Sequence, residues 1–68
     1  MIVVFNDEVI NLNACTHFLC EAGAELAFYF GKIEVSRQEF VDDECRDSAF
    51  DAIIEGYSND IKVLTWMN

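Results

Sequence analysis

Two groups of residues could do chemistry. The first is Cys15, His17 and Cys20, spaced Cys-x-His-x-x-Cys, with Cys45 as a further sulfur. Thiolates and an imidazole hold a zinc ion when four such ligands converge tetrahedrally. The second is a series of carboxylates, Asp43, Asp47, Asp51 and Glu55, each four residues after the last, within the stretch FVDDECRDSAFDAIIEGY (40–57). Carboxylates do acid–base work when a partly dry site pushes their pKa values apart, whereas a solvated row attracts a cationic partner.

Which chemistry is available depends on the elements that carry these groups. On a strand, Cys15 and His17 point to one face and Cys20 to the other, so they cannot converge. The short paired spacing of a structural zinc site, C-x-x-C, is missing. The expectation is no metal and no cofactor. His17 is the only histidine, and no Ser-His-Asp order, nucleophile elbow or phosphate-cradling glycine loop is present. A chain of 68 residues also has little room for a catalytic cleft. The expectation is a protein that is not an enzyme.

Sixty-eight residues make one small domain. A fold of this size buries only about 60% of the surface its unfolded chain exposes, and association with another chain is one way to add stability. The three cysteines are odd in number and follow no charged, apolar leader, which predicts free thiols in a reducing, cytoplasmic compartment. No run approaches a membrane span. Thirteen Asp and Glu stand against four Lys and Arg, for a net charge of −9. The cations, Lys32, Arg37, Arg46 and Lys62, are scattered and outnumbered, so the expectation is no direct binding to nucleic acid or to an anionic membrane. With 53% hydrophobic residues the chain folds nonetheless.

IVVF (2–5) reads as a strand, NDE (6–8) as a turn, and VINLN (9–13) as a strand with Ile10 and Leu12 on one face. The strand reading continues through NACTHFLCEAG (13–23). AELAFYF (24–30) alternates, with Leu26, Phe28 and Phe30 on one side and Glu25, Ala27 and Tyr29 on the other. Gly31-Lys32 fits a tight hairpin into IEVS (33–36). Residues 14–30 also fit a helix, with Asn13 as cap, His17, Glu21 and Glu25 on one face, and Gly31 as stop. From Asp42 or Asp43 the period becomes helical, with an apolar stripe of Cys45, Ala49, Ile53 and Tyr57 flanked by Phe50 and Ile54. Gly56 or Asn59 stops this helix, and IKVLTW (61–66) reads as a last strand. The predicted fold is α+β, an antiparallel β-meander of about four strands packed on one C-terminal helix, with a final strand after it.

Through VINLN, FYFGKIEV and SAFDAIIEGY the chain resembles a loose group of small bacterial and phage domains. Their pattern is an INL strand, an FxF strand, a glycine turn, an IEV strand and an acidic-capped helix. The resemblance covers about residues 1–57 as an order of elements. It implies the meander-plus-helix fold and no functional residue, because the group has no common assigned activity.

On the predicted helix, residues four apart lie on one side with about 6 Å of rise between them, so the carboxylates form a ridge of roughly 18 Å. Asp42 and Glu44 thicken its start. Arg46 is the one cation, placed to pair with Asp42 or Asp43. Asp51 and Glu55 lie toward the negative end of the helix dipole, where acids destabilise. The simpler reading of the ridge is solvated surface. The functional one is a docking surface, Asp43, Glu44, Asp47, Asp51 and Glu55, for a basic protein that handles nucleic acid. A row of carboxylates imitates the regular charge of a nucleic-acid backbone. Small phage-encoded inhibitors such as anti-CRISPR and anti-restriction proteins resemble the chain in size and charge. A sheet apolar on both faces with one helix to cover it predicts a homodimer, with Tyr29 and Trp66 as candidate self-association residues. A structural or regulatory interaction domain using that sheet face, or a small-molecule binder at a dimer interface, are the alternatives.

Overall fold

β-Branched and aromatic residues build the strands in the computed structural model, which describes residues 1–67. Among the described residues there are six strands: β1 (Ile2–Val4), β2 (Val9–Asn11), β3 (His17–Glu21), β4 (Glu25–Phe30), β5 (Ile33–Glu39) and β6 (Val63–Thr65). One helix, α1 (Asp43–Ser58), separates β5 from β6. The class is α+β, as the alternation predicts. The strands form two three-stranded sheets, β2-β1-β6 and β3-β4-β5, where a single meander is expected. The second sheet is antiparallel throughout, and in the first β6 lies parallel to β1.

The division begins at Asn11. Its side chain accepts a hydrogen bond from the Asn13 amide at 3.1 Å, and Leu12–Ala14 closes into a 3₁₀ turn. VINLN is therefore a three-residue strand followed by a corner, because a short amide side chain that bonds its own backbone competes with the ladder. The helical alternative for residues 14–30 is overturned: His17 pairs with Tyr29 and Leu19 with Ala27 in a β-hairpin. Gly31, with φ +61°, supplies the left-handed position that the next two-residue hairpin needs. The β5 strand carries one extra residue opposite the step from Phe28 to Tyr29, a bulge that reaches no periodicity argument.

Asp42 caps α1 by accepting the Cys45 amide at 2.8 Å, and Asp43 and Glu44 occupy the favourable first turn. Asn59 is the C-cap, and Asp60 follows with φ +58°. The Ile61 amide donates to the Gly56 carbonyl and the Asp60 amide to that of Tyr57, the paired bonds of a Schellman ending. Gly56 lies inside the helix, where a Cβ would meet the Met1 sulfur at 3.4 Å. It serves close packing and not termination.

The core is Val3, Phe5, Ile10, Ala24, Leu26, Phe28, Phe40, Ala49 and Ile53. Phe5 joins the two sheets, meeting Phe28 and Phe40 edge-on, each at 6.1 Å between ring centres. Phe18 stacks on Phe28 and touches Phe50 of α1, which fixes the helix over β3 and β4. Two expected core members are outside: Phe30 is 57% exposed and Tyr57 68%. Phe30 pairs with the still more exposed Ile33 at the hairpin tip, past the cover of the helix. Tyr57 fails because four-residue steps overshoot a helical turn by about 40°, so after Ile53 the inward position is Gly56.

Candidate functional site

The acidic helix is the surface with the clearest imbalance. Its carboxylates are exposed, but the same overshoot winds them about 120° round α1 between Asp43 and Glu55, so they form a spiral and not a straight ridge. Arg46 sorts them into two classes. Its side chain is only 13% exposed. Nη1 donates to the Glu21 carbonyl at 2.8 Å, clasping the helix to the β3–β4 turn. Nε donates to Asp47 at 2.8 Å, and Nη2 lies 3.7 Å from Asp43. Of the two partners the sequence offers, Asp43 forms the longer ion pair and Asp42 is consumed as the cap, while the close partner is Asp47. The Asp47 bond holds the guanidinium above its ordinary pKa.

Asp51, Glu55 and Glu44 make no side-chain hydrogen bond or ion pair among the described residues, and all three are exposed. They are the uncompensated part of the surface. Asp51 and Glu55 also sit in the half of the helix where the dipole is unfavourable to them.

The open face of the second sheet differs from the apolar face expected. Register places His17, Tyr29 and Glu34 in one row, Leu19, Ala27 and Arg37 in the next, and Glu21, Glu25 and Glu39 in a third. Arg37 reaches Glu25 at 2.7 Å and Glu34 at 2.6 Å. The Tyr29 hydroxyl donates to Glu21 at 3.1 Å, and its ring stacks flat on His17 at 5.0 Å. Together these side chains bury Ala27 completely. The hydrogen bonds to Glu34 and Glu25 raise the Arg37 pKa and the same contact lowers that of Glu34. The bond to Glu21, with partial burial, pushes the Tyr29 phenol up. This face is roofed by its own polar side chains, so the apolar cover that motivated a partner for Tyr29 is supplied within the chain.

Trp66 lies just past β6, half-buried against the core, with its amide donating to the Val4 carbonyl at 2.8 Å. It is a lid on the sheet. Among the described residues, no three His, Cys, Asp or Glu side chains form a group that could hold a metal. His17 Nδ1 is bonded to the Thr16 hydroxyl at 2.9 Å, and burial pushes the Cys15 thiol up. Among the described residues, no helix is long and apolar enough to cross a membrane.

Two features escape the sequence. The first is Glu8, whose Oε1 accepts from Ser36 at 2.5 Å and from Gln38 at 2.6 Å. Both donors are buried on β5, so this carboxylate laces the β1–β2 turn to the second sheet. The second is a groove of about 410 Å³ between α1 and the segment leading into β3. Leu12, Cys15, Phe18, Ile53, Ile54 and Tyr57 give it an apolar lining. The one sequence signal for it was the surplus of apolar residues on α1, where Ile54 and Tyr57 extend the stripe beyond what the sheet covers.

No family model, no curated protein and no solved structure matches the chain.

Proposed function

We propose that the protein is a non-enzymatic binding module that docks through α1 on a basic, nucleic-acid-handling protein and inhibits it by occupying its cationic groove. One observation carries this reading. The only cation of the helix is turned inward onto the Glu21 carbonyl, which leaves Glu44, Asp51 and Glu55 exposed and without a counter-charge. Surfaces that serve solubility alone interleave both signs, and like charges at i,i+4 cost a helix a few tenths of a kcal/mol per pair, on the order of helix-pair energies generally. With a net charge of −9 behind it, such a surface steers a cationic partner at long range and loses hold as salt rises. Inhibition by nucleic-acid mimicry, as in anti-CRISPR or anti-restriction proteins, is the form this would take.

A second reading has an observation of its own. Phe30 and Ile33 at the β4–β5 hairpin tip, with Val35 on the edge strand, are all about half exposed or more. An unpaired, apolar edge favours self-association, so a homodimer would form there and not across the roofed face.

Capture from cell lysate tests the first reading. Wild type is compared with Asp51→Asn/Glu55→Gln and with Asp43→Asn/Asp47→Asn, at low and moderate salt. Retention of a nucleic-acid-binding protein that salt or added duplex releases, and that the Asp51/Glu55 variant loses, supports it. Equal retention by all three forms removes α1 as the docking surface.

A further inference from the structure

The apolar groove adjoins one of the uncompensated acids. Asp51 stands three residues before Ile54 on α1, one turn away on the same side of the helix, so it lies beside the groove's helical wall. That wall is Ile54, 46% exposed, and the still more exposed Tyr57; Leu12, Phe18 and Ile53 line the groove with them. The facing rim is Asn13, Thr16 and His17, without a carboxylate. An apolar slot with negative charge along one side is asymmetric, and it fits a ligand with the opposite arrangement.

From this asymmetry we propose that the groove receives an apolar side chain from a basic segment of the partner, while a Lys or Arg of that segment meets Asp51. This rests on the docking reading above and adds the anchor that a row of charges lacks. Its volume of about 410 Å³ lies within the roughly 300–1,000 Å³ of binding clefts, ample for one large side chain. A desolvated aromatic or aliphatic anchor supplies residence time, whereas rim charges supply mainly the rate of encounter. A second copy of the chain does not fit this groove, because groove against groove would bring the Asp51 carboxylates of both copies together. A bare phosphate mimic would need no slot.

The test uses defined peptides. A Lys/Arg-rich peptide with a single Trp or Leu is titrated into ¹⁵N-labelled protein at low salt, beside the same peptide with that residue replaced by Ser. The anchored peptide should bind about tenfold more tightly or better, with the largest amide shifts at Leu12, Phe18, Ile54 and Tyr57. Ile54→Ser and Tyr57→Ser, both at exposed positions, should remove that advantage and leave the salt dependence unchanged. Asp51→Asn should weaken both peptides and flatten the salt dependence. Equal affinity of the two peptides, or indifference to Ile54→Ser and Tyr57→Ser, overturns the groove while acid docking stands. No binding of either peptide at low salt, or binding that ignores Asp51→Asn and salt, overturns both.

Discussion

Replacing Glu8 by Ala should loosen the joint between the two sheets. The carboxylate accepts two hydrogen bonds, from Ser36 at 2.5 Å and Gln38 at 2.6 Å, and both donors are buried. A bond to a charged group contributes about 1.5–3 kcal/mol net, and a buried donor left unmade costs a similar amount. Glu8 itself is half-buried, which places each bond at the low end. The expected loss is about 3 kcal/mol for the pair. At roughly 0.05–0.15 kcal/mol per residue, a domain this small has only about 3–10 kcal/mol in total. Urea unfolding followed by circular dichroism reads the change. With a slope near 1 kcal/mol per molar urea, the midpoint should fall by about 3 M. Glu8→Gln keeps one acceptor oxygen and should lose about 1 kcal/mol. The sharper control removes the donors as well, with Ser36→Ala and Gln38→Met added to Glu8→Ala. If the bonds are what Glu8 contributes, this triple variant should be clearly more stable than additivity predicts, because no donor is left stranded. Strict additivity, or a midpoint shift under about 0.5 M for Glu8→Ala, would refute the clasp.

Asp60→Gly should stabilise the protein by up to about 1 kcal/mol, since glycine adopts the left-handed C′ position without strain and a carboxylate leaves the negative end of α1; thermal unfolding measures it, and a loss of stability would contradict the Schellman ending. The raised Tyr29 pKa means its bond to Glu21 stabilises the fold below the ordinary tyrosine value of 10.0 and is lost as pH rises through the folded value. Tyrosinate absorbance of the Tyr57→Phe variant should therefore titrate above 10.0, and Glu21→Gln should bring it down. Glu34 behaves in the opposite sense: its lowered pKa gives stability above 4.5 that disappears as pH falls, so Arg37→Met should flatten acid unfolding in that range. Arg46→Met removes the clasp to the Glu21 carbonyl, and hydrogen exchange should quicken at the first turns of α1 before the strands respond.

Local rules made α1 legible almost to the residue. Asp42 as one of two offered caps, the acids in the first turn, and Cys45, Ala49 and Ile53 of the apolar stripe are facts about neighbours in the chain, and the structure uses each of these, leaving only Tyr57 of the stripe outside. The β4–β5 hairpin was equally local, because a glycine between two alternating runs has few other uses. The acids were legible as a set, but not their division into compensated and uncompensated members. That division depends on Arg46 finding a carbonyl 25 residues away. The open sheet face is hidden from the sequence for the same reason: Tyr29 counts as apolar surface in a pattern, yet its hydroxyl and the Arg37 guanidinium find carboxylates on neighbouring strands and close over Ala27.

The amino-acid sequence by itself determined an acidic, folded α+β chain with a capped helix and a tight hairpin. These depend on composition, on spacing within a few residues and on backbone preference, none of which needs a distant partner. Only the tertiary structure decided that the strands split into two sheets, that β6 runs parallel to β1, that Glu8 laces the two sheets together, and that an apolar groove opens between α1 and the segment leading into β3. Each of these joins residues far apart in sequence, and pairing at that range is selected by burial and hydrogen-bond satisfaction over the whole molecule, which no local pattern encodes.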